Sequence, residues 1–291
     1  MKIGVTGATG QLGRLVVRGL LETQPAGDII AVVRDPAKGS DLVEEGVQVR
    51  VAAYDNVAAL EAALVGVDKL LLISSSEVGQ RIQQHKNVID AAKSAGVKHV
   101  IYTSAPQATT SALVLAPEHK ATEEYLVGSG LDYTIVRHGW YTENYMQQVE
   151  TSRKTGTLIA AVGEGRVASA SRADFAAGDV AVLLGEGQEG KVYEFSGDHA
   201  WDFDELASAI ADIVGRPVAY QPVDAPTLIG ILKDAGAEEG AAVFHVALDQ
   251  NIAAGLLSGT SGELSALIGR PTTPLKEALM TALDQGARQD F

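Results

Sequence analysis

The stretch Lys2-Ile-Gly-Val-Thr-Gly7-Ala-Thr-Gly10-Gln-Leu-Gly13-Arg-Leu-Val-Val17 decides the fold. Ile3 and Val5 read as a short buried strand, and Leu12, Leu15, Val16 and Leu20 recur at helical spacing behind it. Between them stand glycines at 7, 10 and 13. Such spacing gives a tight turn, a close backbone approach to a pyrophosphate and close packing of helix on strand. The first N–H groups of the helix then face the phosphates. Three glycines alone are a weak signal, but the flanking strand and helix make this a dinucleotide-binding start. Gly7, Thr9, Gly10, Gln11, Leu12 and Gly13 are the candidate phosphate-loop residues.

Working outward, apolar runs Ile3–Thr6, Ile29–Val33, Val47–Val51, Leu70–Ile73, Val100–Thr103 and Tyr133–Val136 alternate with helical segments. Their near-continuous apolar character fits strands covered on both faces, so the expected class is α/β with a doubly wound parallel sheet. We expect residues 1–139 to form the nucleotide-binding domain, with elements from about 166–195 returning to it. Residues 140–165 and 196–291 are expected to form a smaller C-terminal α/β substrate lobe. Further strands are read at Thr157–Val162 and Val192–Phe195, and helices at Asp174–Leu184 and Phe203–Val214, the latter capped by Asp202. Asp224–Gly262 is Ala- and Gly-rich and helical in character, with Pro226 near a helix start.

Composition narrows the function. The 291 residues are 46% apolar and carry a net charge of −14, without a basic run, which disfavours a nucleic-acid partner. No apolar stretch approaches the ~20 residues of a membrane span, and the chain opens directly on its first strand, so a cytoplasmic protein is expected. There is no cysteine, hence neither a disulfide framework nor a thiol nucleophile. His245 and the acidic pairs at 44–45 and 238–239 lack metal-ligand spacing, and no metal is expected. Whether the chain is a monomer or a homodimer is not readable from its pattern.

Individual residues refine the ligand. The second strand ends Val33-Arg34-Asp35-Pro36, and an arginine there suits a 2′-phosphate, favouring NADPH over NADH. Asp35 competes, as a partner for Arg34 or an acceptor for a ribose hydroxyl. Asp55, after the third strand, is either a contact for the adenine amine or the N-cap of a helix over Val57–Leu64. Ser74, Ser75 and Ser76 end the fourth strand where ribose and nicotinamide would cross the sheet's carboxyl edge, and Ser104 ends the fifth. Beyond the sixth strand come Arg137, His138, Gly139, Trp140, Tyr141, Asn144 and Tyr145. Gly139 would let the chain approach the cofactor, and 141 and 145 would share a helix face as a flat aromatic wall beside an amide donor. The competing reading is that these aromatics cement the two lobes. Arg137 is read as a structural ion pair, Asp174 as a helix cap, and Trp201 and Phe203 as lobe core.

Thr6–Gly13, Val33-Arg-Asp-Pro36, Ala91-Ala-Lys-Ser-Ala-Gly-Val-Lys-His-Val100 and Arg137–Tyr145 together resemble the NmrA-like branch of the atypical short-chain dehydrogenase/reductases. Within that branch the similarity is greatest to the type-2 NAD(P)H:quinone oxidoreductase and triphenylmethane reductase group. It extends through Trp201-Asp-Phe-Asp-Glu-Leu206 and Thr273-Pro-Leu-Lys-Glu277. The resemblance implies a Rossmann domain with a small C-terminal lobe, NADPH as cofactor, and a quinone-like or dye-like acceptor.

One departure from the superfamily matters. Its usual Tyr-x-x-x-Lys pair is absent, since none of the eight tyrosines has a lysine four residues on. A tyrosine-driven alcohol dehydrogenase mechanism loses its general acid, a contribution of typically 10²–10⁴-fold. A quinone tolerates that loss, because it is electron-poor and gains aromaticity on accepting hydride, so orientation beside the nicotinamide supplies much of the catalysis. Lys120 is a candidate contact for the nicotinamide ribose or for the developing anion, against a solvated lysine in a first helical turn. His119 is a candidate proton donor, against a surface or capping histidine. His138 either faces the nicotinamide or closes a hydrogen-bond network. Two other readings compete with an NADPH-dependent quinone reductase. One is an NADP(H)-binding redox sensor without turnover, the other an isoflavone-reductase-like or epimerase-like enzyme using Lys120 as acid/base.

Overall fold

Strands this apolar need cover on both faces, and the computed structural model, which describes residues 1–289, supplies it. The strands are β1 Ile3–Thr6, β2 Ile29–Val33, β3 Gln48–Val51, β4 Lys69–Leu72, β5 His99–Ser104, β6 Asp132–His138, β7 Thr157–Ala160, β8 Val192–Phe195 and β9 Ala219–Pro222. Seven form one sheet in the order β3-β2-β1-β4-β5-β6-β8, with every neighbouring pair parallel. The order reverses between β1 and β4, where open α/β sheets keep their ligands beyond the strands' carboxyl ends. β7 and β9 pair separately and in parallel.

The helices are α1 Gln11–Leu21, α2 Ser40–Glu44, α3 Val57–Leu64, α4 Arg81–Ser94, α5 Ala116–Gly128, α6 Met146–Thr155 and α7 Arg172–Leu184, followed by α8 Phe203–Val214, α9 Ala225–Asp234, α10 Glu239–Ala253, α11 Glu263–Ile268 and α12 Leu275–Gln289. One face of the sheet packs on α1 and α7 through Val16, Val17, Leu20, Phe175, Val182 and Leu183. The other is covered by α3, α4 and α5 through Leu60, Leu64, Val88, Ile89 and Leu126. A separate core around Tyr145, Val149, Leu158, Trp201, Phe203, Leu206 and Ile210 holds β7, α6 and α8. Fully burying such side chains contributes about 1.5–3 kcal/mol each.

Local signals explain the boundaries, with three corrections. Asp202 caps α8 in a capping box with Glu205, each side chain accepting from the other's backbone N–H at 3.0 Å. For α3 the cap is Asn56, whose Oδ1 accepts from Ala59 N at 3.1 Å, not Asp55. For α7 it is Ser171 rather than Asp174, which sits buried in the first turn and accepts from Ser171 and from the Thr273 N–H. Nor does the chain after 196 stay in the smaller lobe: Leu264 of α11 is buried in the sheet-side core with Phe195 and Phe175.

Candidate functional site

At the β1–α1 turn, Gly7 adopts φ of +60°, and a Cβ on Gly13 would lie 2.8 Å from the Ala8 Cα. At Gly7 a larger residue would be strained by the left-handed backbone, and at Gly13 it would displace the backbone of the turn. Gly10 caps α1 with extended backbone and no side-chain hydrogen bond, so no protein side chain closes off the helix end. Thr9 is half-buried and Gln11 exposed beside this turn, while Leu12 is buried and faces a cavity. The cradle therefore fits a pyrophosphate on steric and hydrogen-bonding grounds. Tyr54, which no motif in the sequence marks, ties three strand ends together: its hydroxyl meets Thr6 Oγ1 at 2.5 Å and donates to the Ile73 carbonyl at 2.8 Å.

Arg34 projects from the end of β2, 76% exposed, and pairs with Glu77 at 2.9 Å. The expected rival, Asp35, is engaged elsewhere, accepting from the Ala37 N–H in its own turn. Asp55 is exposed and does not line the cavity.

The cavity, about 590 Å³, opens at the carboxyl ends of β4, β5 and β6. That is the size of a small-molecule site. Ser74, Ser75 and Ser104 line its sheet edge, and His138, Trp140, Tyr141, Asn144 and Tyr145 line the wall beyond β6. The serines are already bonded: Ser74 N–H donates to Thr103, Ser75 N–H to His85 Nε2, and the Ser104 hydroxyl to Glu123 at 2.6 Å. Glu123 in turn holds Arg137, which also pairs with Glu194 at 2.8 Å. Arg137 is thus an inward structural ion pair, its guanidinium proton affinity raised by these carboxylates.

His138 is buried between rings, stacked on Phe175 with centroids 4.7 Å apart. Its Nε2 lies 2.8 Å from the buried Asp179 Oδ1 and its Nδ1 3.1 Å from the Tyr141 hydroxyl. With Nε2–H donated to the carboxylate, Nδ1 accepts from Tyr141, so both ring nitrogens are occupied. Burial raises the Asp179 pKa, an effect His138 opposes. Tyr141 is likewise raised, by burial and by Asp179. The Arg172 guanidinium carbon sits 4.9 Å over its ring.

Three expectations change here. Residues 142–145 form a 3₁₀ turn rather than an α-helix, so 141 and 145 do not share one flat wall. Tyr141 packs on Phe175, whereas Tyr145 enters the smaller core against Trp201, 5.0 Å between centroids. Gly139 is required by the protein itself: a Cβ there would stand 2.9 Å from the Phe195 carbonyl oxygen. Lys120 lies outside the cavity, half exposed and 4.0 Å from Glu124 on the same helix face. The structure does not bring it to the site.

The opposite wall was not legible in sequence. Phe244, His245, Leu248, Asp249 and Ile252 of α10 close the cavity, together with Leu113, Leu115 and the buried Arg81 and His119. The helical pattern around 239–253 announced α10, but nothing local said where it docks. His119 also corrects the expectation of a surface histidine: it lies within α5, 5% exposed. Among the described residues no cluster fit to hold a metal occurs, and no helix is long and apolar enough to cross a membrane.

A parallel sheet with a glycine cradle at its switch point and a cavity beside it defines a dinucleotide-dependent enzyme class. Residues 7–184 match the NAD(P)H-binding family, and the chain belongs to it, among the NmrA-like oxidoreductases. It is 48% identical over 277 residues to quinone oxidoreductase 2 of Escherichia coli strain K12, covering 95% of this chain and 97% of that one. The structure of the Escherichia coli NADPH-dependent quinone oxidoreductase complexed with NADPH superposes with a TM-score of 0.93, covering 97% of this chain and 99% of that one. The Citrobacter sp. triphenylmethane reductase superposes equally well, TM-score 0.93 at 39% identity, over 98% of this chain and all of that one. An NmrA-like family domain-containing oxidoreductase of Aspergillus flavus is 31% identical, over 97% of this chain and 95% of its own length.

Proposed function

We propose that the protein is a cytoplasmic NADPH-dependent oxidoreductase that reduces a quinone or a similar conjugated acceptor. One observation carries this reading: Leu12, on the first turn behind the glycine cradle, lines the same cavity as Trp140, Tyr141 and Leu248. A dinucleotide seated on the cradle would direct its far end into a largely apolar space of acceptor size. NADPH, when bound, supplies a hydride and is oxidised to NADP⁺.

The protein's own residues bind and orient. Backbone N–H groups of residues 11–13 would receive the pyrophosphate, the Gly10 N–H being spent on the Gly7 carbonyl at 2.9 Å. Arg34 would leave Glu77 for the 2′-phosphate, an exchange favoured because an exposed ion pair contributes only about 0–1 kcal/mol. Ser74 and Ser75 would border the ribose. Trp140 and Tyr141 would flank the acceptor, with Asn144 at the rim, and His138 would hold the Tyr141 hydroxyl in place. Water is displaced by Leu115 and Leu248, and the missing Tyr-x-x-x-Lys acid is dispensable for an acceptor that aromatises.

The test is NADPH oxidation at 340 nm with a panel of quinones and triphenylmethane dyes, NADH alongside. Turnover with NADPH preferred supports the reading, and Arg34→Ala should weaken NADPH about ten- to hundredfold while sparing NADH. Tight NADPH binding without turnover of any acceptor would instead make the protein a redox sensor.

A further inference from the structure

The quinone-reductase reading leaves one problem. Charge builds on an acceptor oxygen as hydride arrives, yet His138 has both nitrogens occupied, Ser104 is committed to Glu123, and Lys120 points elsewhere. The wall formed by α5 contains a group without such commitments.

The Ser75 N–H donates to His85 Nε2 at 2.9 Å, so His85 carries its proton on Nδ1 and donates to Thr122 Oγ1 at 3.0 Å. The single hydroxyl hydrogen of Thr122 goes to the Glu118 carbonyl at 2.9 Å. Beside this chain, the Tyr102 hydroxyl meets His119 Nδ1 at 2.8 Å and is buried completely. Were Nδ1 the donor, the buried phenolic hydrogen would have only the neighbouring Thr122 hydroxyl to turn to, which makes no close hydrogen bond with it and already accepts from His85, the costlier arrangement. Tyr102 therefore donates, and the His119 proton resides on Nε2. Among the described residues that nitrogen has no protein partner, and it is not one of the sealed, unpartnered atoms of the interior, while the ring lines the cavity.

We propose that His119 is a catalytic residue of this reaction: as a neutral imidazole it presents Nε2–H to the acceptor oxygen that becomes negative during reduction. The proposal rests on the quinone-reductase reading and adds to it the group that stabilises the product anion. In the overall reaction the acceptor takes the hydride and then a proton from water to become the hydroquinone, while NADPH becomes NADP⁺. His119 keeps its proton throughout. Its surroundings disfavour an imidazolium. Burial, then the Arg81 guanidinium, then His85 and His138, push its pKa down to about 3. The nearby carboxylates are spent, Glu118 on Arg81 and Glu123 on Arg137, and His245 and Asp249 face the cavity from α10. A preorganised neutral donor in a water-poor site is worth more than the same donor in water, because it needs no reorganisation as charge develops.

The test combines spectroscopy of the ligand-free protein with kinetics. Long-range ¹H–¹⁵N correlation spectra of ¹⁵N-histidine-labelled protein, assigned with His119→Gln, should show protonated Nε2, unprotonated Nδ1 and no imidazolium between pH 5 and 8. An Nδ1–H tautomer, or titration near the ordinary histidine value, overturns the proposal without any turnover. In quinone assays His119→Leu should lower kcat roughly 10²-fold with the NADPH dissociation constant within about twofold. His119→Gln, whose amide nitrogen can stand near the lost Nε2, should recover about tenfold of that loss. A kcat for His119→Leu within about threefold of the parent, or a Gln variant no better than Leu, refutes it. Should His119→Leu fail to fold, Tyr102→Phe decides: releasing the tautomer should cost about fivefold in kcat, and an unchanged kcat counts against the assignment. A parent protein inactive on every acceptor would overturn the functional reading itself, recognisably, because the variants would then have no rate to change.

Discussion

Two of the three histidines that line the cavity are held in opposite ways. His138, at the end of β6, is clamped between a buried carboxylate and a tyrosine hydroxyl and stacked on Phe175. On α5, His119 is fixed at one nitrogen only, by a neutral phenol, and leaves the other open. The residue type is the same, and the partners alone separate a positioning group from a donor. A carboxylate partner commits the imidazole to ordering its surroundings, whereas a hydroxyl that donates to one nitrogen sets the tautomer and frees the second N–H for a ligand.

The largest effect that would sharpen this contrast is on the clamped side. His138→Leu removes the stack and leaves Asp179 buried without its partner, so urea unfolding should show a loss of about 3–5 kcal/mol. A loss below about 1 kcal/mol would mean that the clamp is not structural. His119→Leu should cost clearly less stability while costing more activity, and a reversal of that order would collapse the comparison.

Acid should come next. His85 and His119 are both depressed to about 3 by burial and by Arg81, so the unfolded chain binds protons that the native state refuses between about 3 and 6.5. Stability from these groups is fully present above pH 6.5 and is lost as pH falls toward 3. From pH 7 to 5 the decrease should be roughly 1–2 kcal/mol per histidine. Substituting His119 by Gln should flatten the slope. A stability independent of pH over that interval would contradict the buried, neutral state.

Smaller again is the difference between two matched phenol-to-phenyl changes. Tyr141→Phe frees His138 Nδ1 and removes a hydroxyl at the acceptor wall, which should raise the acceptor KM more than it lowers kcat. Tyr102→Phe acts through His119 and should do the reverse. Each loses a hydrogen bond of about 1 kcal/mol, and identical kinetic signatures would show that the two walls are equivalent. The smallest effect belongs to Lys120→Ala, on the solvent side of α5: within about 0.5 kcal/mol in stability, and with kcat unchanged. A tenfold drop in kcat would return this lysine to the site.

Features that depend on neighbours along the chain were legible in the residues alone. Glycines at 7, 10 and 13 between an apolar strand and an amphipathic helix specify the cradle, because turn geometry and helix termini are local. Alternating apolar segments specify a parallel sheet for the same reason, and the capping pattern at Asp202 marked the start of α8. Which α10 side chains close the cavity depends on how the helix packs, since Asp249 lies far along the chain from Tyr145 and local periodicity carries no docking information. Tertiary packing also decided that Lys120 and His119, adjacent in sequence, face solvent and cavity respectively: one residue along an α-helix turns the side chain by about 100°. Finally it set the tautomers, because the location of a histidine's proton is fixed by the atoms that surround its ring.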